Sequence, residues 1–260
     1  MFKNVAKKIG LIGLFFAVLL FSAPNAAKAD EFEKPTPQSL VKMLVRFGAL
    51  NVGDDDALND YAIIEECKLY DYFYHDDFRW RDVQAAMRKS IRQNINVFPT
   101  GFHYDSALRL GRYDFKNGIY RIKSDDGGTA ANSFTVIVPD EQMRCNNQKA
   151  EDLPRTYRFV LDEQIRIVGL PLTPDDADKL MKRMDEAGNK EHIVFARFNL
   201  RVVYVGPLTR KKDESGAYAG RYRQSDLANS VDNIRLDSRL ESIDYYEDEA
   251  ATKLIYSYSP

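Results

Sequence analysis

The chain has 260 residues with 37 basic and 39 acidic side chains, 12% aromatic content and two cysteines. That slightly acidic balance excludes the basic footprint of a nucleic-acid-binding protein, while the length is enough to bury a sizeable core. No Walker loop, GxSxG elbow, HExxH, Cys-x-x-Cys or Rossmann glycine pattern occurs, and the three histidines lie far apart, so no catalytic residue, metal ligand or cofactor is assigned.

At the N-terminus, Lys3, Lys7 and Lys8 precede an apolar run from Ile9 to Ala23, and Ala27-Lys28-Ala29 places small residues at signal-peptidase spacing. The run is shorter than the roughly 20 residues that span a bilayer, so residues 1–29 read as a signal peptide cleaved after Ala29, not as a membrane anchor. Cleavage takes four of the 37 basic side chains and none of the 39 acidic ones, leaving a net charge near −6. The expectation is a periplasmic or secreted protein with no transmembrane anchor and no nucleic-acid partner. Residues 30–260 should form one compact domain, helical over about 36–97 and strand-rich over about 102–260. In an exported chain the isolated pair Cys67 and Cys145 points to a disulfide, with two buried thiols as the alternative.

Residues Asp30 to Pro35 are polar and read as disordered. Thr36 then caps a helix with Pro37 at its first position and an apolar stripe of Leu40, Val41, Leu44 and Phe47. The acids Asp54 to Asp56 favour the positive end of a second helix from about Ala57, with Leu58, Tyr61, Leu69 and Tyr72 at helical spacing. An aromatic stretch from Tyr70 to Arg81 follows, holding the sole tryptophan. Asp77 is expected to cap a third helix with Trp80, Val83, Met87 and Ile91 in its core stripe. The same stretch offers Tyr74, Asp77, Arg79 and Trp80 as a surface that stacks on a ring and bonds its hydroxyls.

From Phe102 the pattern changes to alternation. Leu108, Leu110, Tyr113 and Phe115 lead to Asn117-Gly118, a strong hairpin signal, and a second turn at Asp125 to Gly128 leads to Phe134–Val138, which reads as a β-meander. His103-Tyr104-Asp105 invites a catalytic reading, but adjacent strand residues point to opposite faces and no partnered nucleophile is evident.

The clearest architecture runs from Tyr157 to Val205. Tyr157, Phe159, Leu161, Ile165 and Ile167 share one strand face; Thr173 and Pro174 open a helix with Ala177, Leu180, Met181 and Met184 along one stripe; Gly188 ends it. A long strand follows, with Val194, Ala196, Phe198, Leu200, Val202 and Tyr204 inward and Arg197, Asn199 and Arg201 outward. Gly111–Lys116 echoes Ala196–Arg201 in residue character, so Arg112, Arg197 and Arg201 are candidate anion-binding residues on a shared wet face, with cross-strand pairing to acids as the plainer alternative. Pro207 to Gln224 reads as a surface loop, and strands resume through Ile234, Leu236, Leu240 and Ile243, ending on Leu254, Tyr256 and Tyr258.

These elements predict an α+β fold: N-terminal helices packed on a mainly antiparallel sheet of six or seven strands with one inserted helix. The functional expectation is an exported bacterial envelope protein that binds a partner protein or a small ligand without catalysis. The alternative is a hydrolase of envelope polymers using Asp76 or Asp77 with Asp105 as general acid and base, which requires the carboxylates within about 10 Å of each other.

Overall fold

The computed structural model describes residues 32–123, 130–206 and 233–260. The expected leader at 1–29, the turn at Asp125 to Gly128 and the loop from Pro207 to Gln224 lie outside the described residues.

The helical part opens where the capping chemistry places it. Thr36 accepts the Ser39 N–H while Ser39 returns a bond to the Thr36 backbone, and α1 runs Pro37–Arg46 with Leu40, Val41 and Leu44 fully buried. Ahead of it the chain is ordered, because Glu33 forms a parallel bridge with Phe102 and exchanges backbone hydrogen bonds there. Asp54 caps α2 (Asp55–Glu65) by accepting from Asp56 and Ala57, which is the ordinary use of an acidic helix start. The expected second helix is in fact two. Glu66 leaves helical geometry (φ −128°, ψ 41°), and the short α3 (Cys67–Phe73) restarts at a new angle that turns Tyr70 inward and leaves Leu69 and Tyr72 outside the core. Asp76, one residue before the expected cap, accepts the Arg79 N–H and starts α4 (Asp77–Asn94), whose Trp80, Met87 and Ile91 are buried.

Two ties fasten the helices to the segment after the first strands. Cys67 and Cys145 form a disulfide with Cα atoms 5.3 Å apart. The buried Asp60 accepts the backbone N–H groups of Glu151 at 3.0 Å and Asp152 at 2.6 Å, so its charge is met inside the fold.

The strands are β1 (Gly101–Asp114), β2 (Ile119–Ile122), β3 (Ala130–Ile137), the short β4 (Arg144–Cys145) and β5 (Gln148–Lys149), then β6 (Thr156–Arg166) and β7 (Gly169–Pro171). Helix α5 (Pro174–Glu186) intervenes before β8 (Ile193–Val205), β9 (Asn233–Tyr246) and β10 (Leu254–Tyr258). The main sheet has eight strands in the order β3-β6-β9-β8-β1-β2-β7, with β10 added to β9; β4 and β5 pair separately. Among the described residues every pairing between these strands is antiparallel except β6 with β9. The chain is therefore α+β, as its periodicity predicts. The expected meander is not formed: after the Asn117-Gly118 turn closes β1 on β2, β3 leaves its predecessor and pairs with β6.

The sheet is curled, and aromatic contacts prove it. Phe134 on β3 lies 4.9 Å from Phe198 on β8 and 4.8 Å from Tyr104 on β1, although two and three strands separate them in the sheet order. Only two residues separate β6 from β7, yet β6 pairs with β3 and β9 while β7 pairs with β2 at the opposite end of the order. This bent segment closes the curl into a barrel-like wall around the apolar face. Gly169 sits at the bend because a Cβ there would lie 2.4 Å from the Tyr120 carbonyl oxygen. The inner face of β8 is Val194, Ala196, Phe198, Leu200 and Val202, all buried. Tyr204 departs from that row and is 57% exposed, since a register shift between Val202 and Tyr204 turns Val205 inward in its place.

Candidate ligand-binding cleft

Three places in the structure carry the chemistry that the sequence singles out or conceals: the aromatic turn, the outer face of the sheet, and a break in the barrel wall.

The aromatic turn is packed. Trp80 is buried, meets Tyr70 edge-on at 5.2 Å and donates its indole N–H to Asn59 Oδ1 at 3.1 Å. Tyr74 stacks on Tyr70 at 4.4 Å and meets Trp80 edge-on, while Arg79 pairs with Asp76 at 3.3 Å and Asp77 is exposed in the first turn of α4. The four candidates are neighbours, but the ring with the most area for stacking on a ligand already spends its faces on the protein.

On the outer face, arginines and acids form a ladder across four strands. Arg197 grips Asp105 through two bonds of 2.8 and 3.2 Å and lies over the Tyr246 ring; Arg201 grips Glu241 at 2.9 and 3.0 Å and lies over Phe32. Between them the buried Asn199 donates to Ser242 and Asp244, each at 2.7 Å, and Ser257 on β10 donates to Asp244. His103 and Asp105, two residues apart, share a face and touch at 3.2 Å, correcting the expectation that they diverge. Burial is the largest influence on Asp105 and raises its pKa, but the Arg197 hydrogen bond and the charges of His103 and Arg197 outweigh it and hold the carboxyl below its ordinary range. For His103 the balance falls the other way: burial first, together with the charges of Arg197 and Lys34, outweighs the pull of Asp105 and holds its pKa below the ordinary value. Glu241 is held low, first by the Arg201 hydrogen bond. Arg112 is exposed and stands seven residues along β1 from Asp105, about 23 Å at about 3.3 Å per residue. It does not converge with Arg197 and Arg201, and the proposed shared arginine face is not assembled.

The break in the wall lies on one edge of β9. Strand β6 pairs with β9 up to Ser238, and β10 pairs with it from Ile243 onward, so residues 239–242 have no strand partner on that edge among the described residues. Irregular strands open the gap. Opposite two steps of β3 (Ala131 to Ser133), β6 advances five residues (Val160 to Ile165), throwing out Asp162, Glu163 and Gln164; β9 carries one extra residue, Glu241, against β8. Between them is a cleft of about 630 Å³. Its floor is made of Ile165, Ile167, Leu240 and Ile243, which belong to the apolar inner row, and Tyr245, Tyr256 and Tyr258 form one wall. Asp162, Glu163, Arg166 and Arg239 stand at the rim and are exposed. Tyr245 is buried behind Tyr256, ring centroids 6.2 Å apart; burial first, then the neighbouring Tyr256 and Tyr258, push its hydroxyl pKa up to about 12. Among the described residues no cluster of His, Cys, Asp and Glu is placed to hold a metal ion.

None of the cleft residues was singled out from the sequence, although a signal was present. The apolar row of β6 skips Glu163, stepping from Leu161 to Ile165, and that of β9 steps from Leu236 to Leu240 to Ile243; both breaks mark bulges.

A curled, mainly antiparallel sheet with one gap in its wall defines the chain as an α+β protein with a barrel-mouth cleft. It belongs to the family described as Domain of unknown function (DUF4852), whose model matches residues 54–183, from the cap of α2 into α5. The match takes in the β6–β7 side of the cleft and stops before β9 and β10. No curated protein and no solved structure matches the chain.

Proposed function

We propose that the protein is an exported, non-enzymatic binding protein that holds a small ligand in the cleft between β6–β7 and β10. The observation that carries this reading is the gap itself: it leaves Leu240, Tyr256 and Tyr258 accessible over the buried Ile165, Ile167 and Ile243, beneath a charged rim, and a volume of about 630 Å³ falls in the range of small-molecule sites, roughly 300–1,000 Å³. Binding is favoured over polymer hydrolysis because Asp76, Asp77 and Asp105, the acids considered for catalysis, do not line the cleft. Asp105 is gripped by Arg197, Asp76 caps α4, and neither lines the cleft. Export is supported by the leader-like pattern at 1–29 and by the Cys67–Cys145 disulfide, a bond that persists in oxidising compartments.

The test is a fluorescence titration of the full mature chain with N-phenyl-1-naphthylamine, a neutral apolar probe. One saturable site is expected, and Leu240→Trp, which fills the cleft floor, should abolish it while leaving the far-ultraviolet circular dichroism unchanged. Undiminished binding in a folded Leu240→Trp protein would move the site elsewhere. Mass spectrometry of the exported product should place its first residue at Asp30.

A further inference from the structure

We infer that the ligand of this cleft is a neutral saccharide, with a sugar face laid against Tyr256 and Tyr258 and its hydroxyls bonded by Asp162, Glu163, Arg166 and Arg239. The inference rests on the cleft being the ligand site.

Charge at the rim decides the class. The arginines of the outer ladder are committed, each holding a carboxylate through two bonds. Those at the cleft are less committed: Arg239, whose charge helps hold Glu241 low, makes no close ion pair among the described residues, and Arg166 donates to Gln164 Oε1 at 3.5 Å and makes no ion pair among them. Nor are the rim acids committed to a cation. Asp162 accepts the Glu163 N–H at 3.0 Å, and Glu163 has no ion pair among the described residues. Among the described residues the rim thus presents two carboxylates and two guanidinium groups that make no close ion pair, around one opening.

A ligand bearing net charge of either sign meets two like charges there. A neutral polyol meets no such repulsion, and it uses both sets, because each hydroxyl is at once a donor to carboxylate and an acceptor from guanidinium. Hydrogen bonds to ionised groups are stronger than neutral ones, which offsets part of the cost of stripping water from a sugar. The wall supplies the other half of the recognition. Tyr258 is 44% exposed and Tyr256 half-buried, so ring area remains for a sugar face, while Tyr245 backs Tyr256 from behind. The turn around Trp80 has the same residue types with its rings already packed on one another; the cleft has them with ring area and charge free.

The test uses the full mature chain with cellobiose, maltose and N,N′-diacetylchitobiose, a uronic-acid disaccharide, and the naphthylamine probe, followed by saturation-transfer NMR and isothermal titration calorimetry. At least one neutral saccharide is expected to bind, at least tenfold more tightly than the uronic acid. Tyr258→Ala should weaken it at least tenfold, and Arg239→Met at least fivefold. Probe binding with no response to any neutral saccharide would overturn the saccharide inference and leave the cleft as a site for another ligand. Tighter binding of the uronic acid would overturn it equally. If the probe does not bind either, the reading of the cleft as a ligand site falls with it.

Discussion

The outer ladder and the cleft are built from the same residue types on adjoining strands, and they differ in commitment. Arg197, Arg201 and Asn199 spend their donors on Asp105, Glu241, Ser242 and Asp244; register sets Arg197 opposite Asp105 and Asn199 opposite Ser242, while Arg201 faces Arg239 and reaches the bulged Glu241. Arg166 and Arg239 stand at the bulges and make no close ion pair among the described residues, although the Arg239 charge acts on Glu241. Where register places a complementary side chain opposite, as Asp105 for Arg197 and Ser242 for Asn199, the two bond and are consumed. Where β6 and β9 gain extra residues the register fails: the inserted Glu241 is still held by Arg201, but a stretch of β9 edge is left without a strand partner, and Asp162, Glu163 and Arg166 make no close ion pair among the described residues.

The comparison can be broken at the bend that makes the cleft. Gly169→Ala would drive a Cβ to 2.4 Å from the Tyr120 carbonyl, and separating β7 from β2 should cost about 3 kcal/mol of stability in chemical denaturation, with loss of probe binding. In the ladder, Asn199→Ala leaves Ser242 and Asp244 without their shared donor; about 2 kcal/mol is expected, with the probe still bound.

Acid should act on the ladder next. Asp105 and Glu241 have folded pKa values below their ordinary 3.8 and 4.5, so they contribute stability that is present above those values and lost as pH falls through the lower folded ones. Thermal midpoints should therefore decline as pH drops below about 4.5, and Arg201→Met should flatten the part of the slope owed to Glu241. The smallest effect belongs to the cleft: Arg239→Gln should change stability by less than about 0.5 kcal/mol, as for an unpaired surface side chain.

The periods of the strands and the caps of the helices were readable from the residues. Thr36 with Pro37, Thr173 with Pro174, and Asn117-Gly118 each specify local geometry through bonds made within a few residues, and each stands where the pattern puts it. Partner choice was not readable, because β9 slides between β6 and β8 through contacts across tens of residues that leave no local mark. Periodicity also misled where it was applied across a break: Glu66 separates Leu58 and Tyr61 from Leu69 and Tyr72. The aromatic turn drew attention because ring-rich sequence looks the same whether its rings pack on each other or face solvent. The cleft escaped notice because its residues come from four separate strands, and the two local signs, the skipped Glu163 and the step from Leu240 to Ile243, read as noise until the strands are placed side by side.

Amide hydrogen exchange of the full chain with and without saturating N-phenyl-1-naphthylamine tests the central claim most directly. New protection is expected over residues 162–168, 239–243 and 254–258, with exchange across residues 74–80 unchanged. Protection confined to residues 74–80, or spread along the outer faces of β1 and β8, would contradict it.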